Sequence, residues 1–122
     1  MAPSRVRDEM LSAPIPRSLS GKVQREWREM VGRRVEVLTP QGWEEGDMSL
    51  LYLHGGGYVI CSPGTHRDLT ARLSAAAKAK VYVLDYRLAP EHPYPAAIDD
   101  VVALWQSFDL DRGPYAIAGD SA

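Results

Sequence analysis

Two short stretches of this sequence carry residue types that do chemistry only in company. The first is His54-Gly55-Gly56-Gly57, directly after the apolar run 50–53. Consecutive glycines cost chain entropy, and they belong where side chains would obstruct or where φ must be positive. Such a loop is either a flexible turn or a row of backbone N–H groups presented to an anion. A phosphate loop needs G-x-x-x-x-G-K-[ST] and a dinucleotide loop needs G-x-G-x-x-G, and this segment has neither. Stabilising an oxyanion in acyl chemistry is the role that fits. The second stretch is Gly119-Asp120-Ser121-Ala122, after the apolar run 115–118. It holds the first four residues of G-x-S-x-G, a sharp strand-to-helix turn that lifts a serine hydroxyl out of a sheet. A helix starting there favours negative charge through its dipole. Taken alone, Ser121 or Asp120 could equally cap that helix. Taken together, the stretches assign Ser121 Oγ as a nucleophile toward an ester carbonyl, with the N–H groups of Gly55, Gly56 and Ala122 holding the oxyanion.

The elements that must position these residues are legible from periodicity. The apolar runs 50–53, 81–84 and 115–118 are continuous, as in parallel strands covered on both faces. Between them lie two helical patterns. Thr65-x-x-Asp68 resembles a capping box ahead of Leu69, Leu73 and Ala76. Ala97, Val101, Leu104, Trp105 and Phe108 share one face of a second helix. Strand, helix, strand, helix, strand is two βαβ units, so the fold class is α/β, a mostly parallel open sheet with helices on both faces. In such sheets ligands bind beyond the carboxyl ends of the strands, which is where both stretches fall.

Upstream, residues 33–39 alternate Val35 and Val37 with polar neighbours, an exposed-face strand, and 40–47 is a turn or hairpin connection. Residues 19–31 place Leu19, Val23, Trp27, Met30 and Val31 at helical spacing, with Gly32 as the stop. Pro3, Pro14 and Pro16 limit any earlier helix to about 5–12. Two units follow: a helical segment, 1–32, and the sheet-bearing core, 33–122. Basic residues gather in the first unit, but they interleave with acids, which makes a solvated face rather than a nucleic-acid arm.

Across 122 residues with net charge -2 and 45% hydrophobic content, a disordered chain is excluded, and there is no general electrostatic case for nucleic acid. No run is long enough to span a membrane, and no signal peptide is visible. The single cysteine, Cys61, cannot form an internal disulfide, which points to the cytoplasm and to a packing role.

The stretch Asp85-Tyr86-Arg87-Leu88-Ala89-Pro90-Glu91-His92-Pro93-Tyr94-Pro95-Ala96-Ala97 lies between the two sites. With His54-Gly55-Gly56-Gly57 before it and Gly119-Asp120-Ser121-Ala122 after it, residues 33–122 resemble the hormone-sensitive-lipase-like family of α/β-hydrolases. The resemblance implies carboxylesterase activity on short to medium acyl esters, with no cofactor and no metal. It implies that 1–32 belongs to a cap over the site, and that His54 and Gly57 support the loop. Tyr58 and Asp120 are candidates for the substrate pocket, and His66 and His92 for surface or structural roles. Arg87, Asp85 and Glu91 are expected to pair as a brace at the strand end.

A serine hydrolase also needs a base and an acid, in chain order Ser, Asp/Glu, His. All three histidines precede Ser121. The expected partner is therefore the C-terminal part of the same enzyme, in the same chain or a second one, and 1–122 alone is expected to be inactive. Family members commonly dimerise through later elements. The other reading is a non-catalytic small-molecule-binding protein on the same fold.

Overall fold

The computed structural model describes residues 12–122. The helix anticipated over 5–12 lies almost entirely outside them. Five strands form one sheet: β1 (Val23–Met30), β2 (Arg33–Pro40), β3 (Ser49–Leu53), β4 (Lys80–Leu84) and β5 (Tyr115–Gly119). Their order is β1-β2-β4-β3-β5. Helix α1 (Arg67–Ala77) joins β3 to β4, and α2 (Ala96–Ser107) joins β4 to β5. β3 pairs parallel with both β4 and β5, while β2 runs antiparallel to β1 and β4. The sheet is thus mixed, with its parallel part next to the chemistry-bearing loops.

Alternate residues of β3 and β4 face opposite sides, as pleating requires. Leu51, Tyr82 and Leu84 pack with Val35, Val37 and the α2 residues Ala97 and Leu104. Leu50, Tyr52, Val81 and Val83 pack with Val23 and Leu38, against which Leu73 and Ala75 of α1 lie. Each helix therefore covers one face. Fully burying a side chain such as Leu51 or Leu104 contributes about 1.5–3 kcal/mol.

Residues 19–31 are not a helix. Apart from a 3-10 turn at Arg17–Leu19, this segment forms strand β1, paired along its whole length with β2. Residues four apart share a face in a strand as well as in a helix, so Val23 and Trp27 satisfy both periods. What decides is the turn. Val31 and Gly32 have φ of 49° and 74°, the two positive values that a two-residue hairpin link requires. Gly32 closes a hairpin, and the boundary placed between 32 and 33 falls inside it.

Strand β2 is covered rather than exposed on one face, because Val35, Glu36, Val37 and Leu38 are all buried. Glu36 is tolerated there because Arg67 meets it with two hydrogen bonds, 2.9 and 2.8 Å. The connection after Pro40 is no hairpin, since β4 lies between β2 and β3. The capping box also sits three residues earlier than Thr65-x-x-Asp68. Ser62 N–H donates to Thr65 Oγ1 at 3.1 Å, and Thr65 N–H donates to Ser62 Oγ at 3.4 Å. A 3-10 turn, Gly64–His66, then leads into α1. In α1 the buried residues are Arg67, Thr70, Ala71 and Ser74, and Leu69 is exposed.

Candidate functional site

Because β3, β4 and β5 are parallel, His54, Asp85 and Asp120 leave the sheet on the same side. Ser121 follows the last pairing of β5 with β3, Leu53 with Gly119. This brings the glycine loop and the serine turn into direct contact. A Cβ added to Gly55 would lie 2.5 Å from Asp120 Oδ2 and 2.9 Å from Ser121 Cβ. One on Gly56, whose φ is +132°, would lie 2.2 Å from the Ile60 carbonyl oxygen. At both positions only glycine permits the approach.

The three N–H groups of the loop do not act alike. Gly55 N–H donates to Asp120 Oδ1 at 2.8 Å. Gly56 N–H donates to the main-chain oxygen of Ala122, the last residue of this sequence, at 2.7 Å, and Gly57 N–H donates to the same oxygen. Two adjacent backbone donors thus converge on one point beside Ser121. The residue between these two amides is Gly56, whose φ of +132° favours glycine.

Asp120 is the hub of the site. Its Oδ1 accepts from the Tyr52 hydroxyl at 2.8 Å as well as from Gly55, and its Oδ2 accepts from His66 Nε2 at 3.0 Å. Partial burial works against its charge, but the hydrogen bonds from Tyr52, Gly55 and His66 outweigh this and hold the carboxyl below its ordinary range. Tyr52 is pushed the other way, by burial and by its bond to that carboxylate.

His54 is fully buried. Its ring stacks on Tyr86 with centroids 4.3 Å apart, and Tyr86 donates its hydroxyl to the His54 carbonyl oxygen. His54 Nδ1 donates to the Gly55 carbonyl oxygen at 2.9 Å. That fixes the tautomer and leaves Nε2 as a buried acceptor with no hydrogen-bond partner among the described residues. Burial pushes its pKa down, which keeps the ring neutral.

A cavity of about 190 Å³ opens at Ser121, walled by Leu53, Tyr58, Tyr86, Ile98 and Val101. A second cavity of similar size shares Tyr58 and Ile98 with it and extends toward His92 and Tyr94. Tyr58, a candidate pocket residue, lines both. Cys61 is half-buried. Among the described residues no three His, Cys, Asp or Glu side chains gather as a metal site would need, and no helix is long and apolar enough to cross a membrane.

Sequence reasoning missed three contributors. His66, read as a surface or capping residue, lies against Asp120, its side chain only 15% exposed. Tyr52 and Tyr86 reach the site by position in the sheet and loop, and their spacing from Ser121 carries no signal. Arg87 has a buried partner, Asp100 on α2, which takes the Arg87 backbone N–H at 2.8 Å and its guanidinium at 2.9 Å. The Ala89–Pro90 and Tyr94–Pro95 bonds of the same loop are cis.

A family described as alpha/beta hydrolase fold matches residues 50–122. The chain is 47% identical over 77 residues to an acetyl-hydrolase of Streptomyces hygroscopicus, covering 61% of this chain and 26% of that protein. It is 46% identical over 80 residues to the esterase LipI of Mycobacterium tuberculosis, covering 60% and 25%. A solved hormone-sensitive lipase from a metagenome library superposes with a TM-score of 0.80 at 35% identity, covering 97% of this chain and 39% of that one. The match spans about a quarter of the length of these curated relatives.

Proposed function

This chain belongs to the alpha/beta-hydrolase family, in its hormone-sensitive-lipase-like branch, and on that premise we propose that the protein is a carboxylic ester hydrolase working through an acyl-serine intermediate on Ser121. The observation that carries this reading is the convergence of the Gly56 and Gly57 N–H groups on one oxygen next to Ser121. In this reading a substrate carbonyl oxygen is received by these two N–H groups, with the Ala122 N–H as a third donor. Gly55, whose N–H is committed to Asp120, positions the loop and does not touch the oxyanion.

In this mechanism Ser121 Oγ bonds to the ester carbon as its proton passes to a base. The negative oxygen is held by the backbone donors, and collapse expels the alcohol, which takes up that proton. Water then cleaves the acyl-serine by the same route. Preorganised donors of this kind are worth about 3–4 kcal/mol of barrier each. The cavity at Ser121 is apolar, which suits a short to medium acyl or alcohol group.

His54 and His66 spend ring nitrogens on Gly55, Thr65 and Asp120. In this reading neither of them is the base that takes the Ser121 proton. A reducing intracellular compartment fits its one free thiol. Turnover of p-nitrophenyl acetate and butyrate by the intact protein, beside Ser121→Ala, tests the reading. Loss of turnover in the variant supports it. Equal rates in both contradict it and favour a non-catalytic binding protein.

A further inference from the structure

His66, just before α1, reaches the serine turn. It leaves the 3-10 turn Gly64–His66, held from behind by Thr65, whose Oγ1 lies 2.8 Å from His66 Nδ1. On its other side Nε2 meets Asp120 Oδ2 at 3.0 Å. A carboxylate only accepts, so Nε2 is the donor. The two oxygens of Asp120 then have separate duties. Oδ2 is fixed by His66, while Oδ1 carries both the Tyr52 hydroxyl and the Gly55 N–H.

We propose that His66 is a positioning residue for Ser121: by pinning Asp120 Oδ2 it sets the carboxylate plane, and through Asp120 Oδ1 it sets where the glycine loop stands relative to the nucleophile. The inference rests on the esterase reading above. The contact it controls has no slack, because even a Cβ added to Gly55 would lie 2.5 Å from Asp120 Oδ2 and 2.9 Å from Ser121 Cβ. Removing the Nε2 donor leaves the carboxylate held at Oδ1 alone, by Tyr52 and Gly55, so that it tilts and carries the Gly55 N–H with it. The Gly56 and Gly57 donors that follow move with it. A displacement of about 1 Å in such a constellation costs up to about a hundredfold in rate. Substrate binding depends instead on the apolar walls, to which His66 does not contribute.

The test compares His66→Ala, His66→Asn and His66→Gln in the full-length protein. The Gln amide places an N–H donor close to where Nε2 stood, whereas the shorter Asn does not reach. The proposal expects His66→Ala and His66→Asn to lower kcat about ten- to a hundredfold with KM within about twofold. His66→Gln is expected to recover most of that loss. Wild-type kcat in the Ala variant, a rise in KM at unchanged kcat, or failure of Gln to recover more than Asn overturns it. A second readout separates this proposal from the function it rests on. The Gly55 amide proton resonance should shift in His66→Asn and hold in His66→Gln, even if no ester is turned over. An unshifted resonance in His66→Asn overturns the positioning role by itself.

Discussion

The Gly55 N–H and the Asp120 carboxylate meet at 2.8 Å across 65 residues of sequence. This bond ties the loop after β3 to the turn after β5, and every other feature of the site is arranged around it. The closeness it enforces makes Gly55→Ala an early test. The new Cβ has to displace Asp120 Oδ2 or Ser121 Cβ, from starting separations of 2.5 and 2.9 Å. Overpacking of this kind costs about 1–3 kcal/mol of stability. Esterase activity of the intact protein should fall at least a hundredfold while circular dichroism still reports a folded chain.

Asp120 should leave a mark on acid stability. Its carboxyl is held below the ordinary range in the folded state by the bonds from Tyr52, Gly55 and His66. A depressed carboxylate contributes stability that is complete above the unfolded value, about 3.9, and is lost as pH falls through the lower folded value. Urea titrations of the wild type and Asp120→Asn should therefore differ near neutrality and converge toward acid. Parallel curves over the whole range exclude the linkage.

His54 acts in a separate window. Burial pushes its pKa down, with the Gly55 bond opposing and the nearby His66 reinforcing. As pH drops below about 6.5 the unfolded chain takes up a proton that folded His54 refuses, so stability declines until the folded value is reached. Chemical denaturation between pH 7.5 and 5 should show this decline. His54→Gln, starting from a lower stability, should show less of it.

The buried pair of Glu36 and Arg67 is a stability device away from the chemistry. Glu36 is fully buried and is bonded twice by Arg67, with Arg25 at 3.8 Å. Arg67 also donates to the Ala13 carbonyl oxygen, so it ties the N-terminal segment to α1. Replacing one partner, as in Arg67→Met, strips both hydrogen bonds from the buried Glu36, leaves it only Arg25 at 3.8 Å, and should cost about 3–5 kcal/mol. Glu36→Met combined with Arg67→Met should cost markedly less than the single change, by equilibrium denaturation.

Much of this arrangement could be read from the chain. Continuous apolar runs marked β3 and β4, which are covered on both faces and so cannot alternate, and the run 115–118 marked β5, whose residues are half-buried or exposed. The face of α2 was visible in Ala97, Val101 and Leu104. The loop and the turn were visible because only glycine and small residues fit a contact as tight as Gly55 on Ser121. What stayed hidden was set by pairing across the sheet. Val23 and Trp27 suit either period, and only the hairpin closed by Val31 and Gly32 decides for a strand. His66 looked like a surface residue because its partner, Asp120, is 54 positions away. Asp100 and Glu36 are carboxylates in apolar patterns, and their arginine partners stand 13 and 31 positions away.

The central claim is that Ser121 is the acyl-accepting nucleophile. Intact-mass and peptide mass spectrometry of the full-length protein, after reaction with a serine-directed sulfonyl fluoride, tests it most directly. The account predicts one adduct, on the peptide that holds Ser121, appearing in step with the loss of p-nitrophenyl butyrate turnover. Turnover abolished by the reagent with Ser121 unmodified, or an adduct on Ser121 that leaves turnover intact, would contradict it.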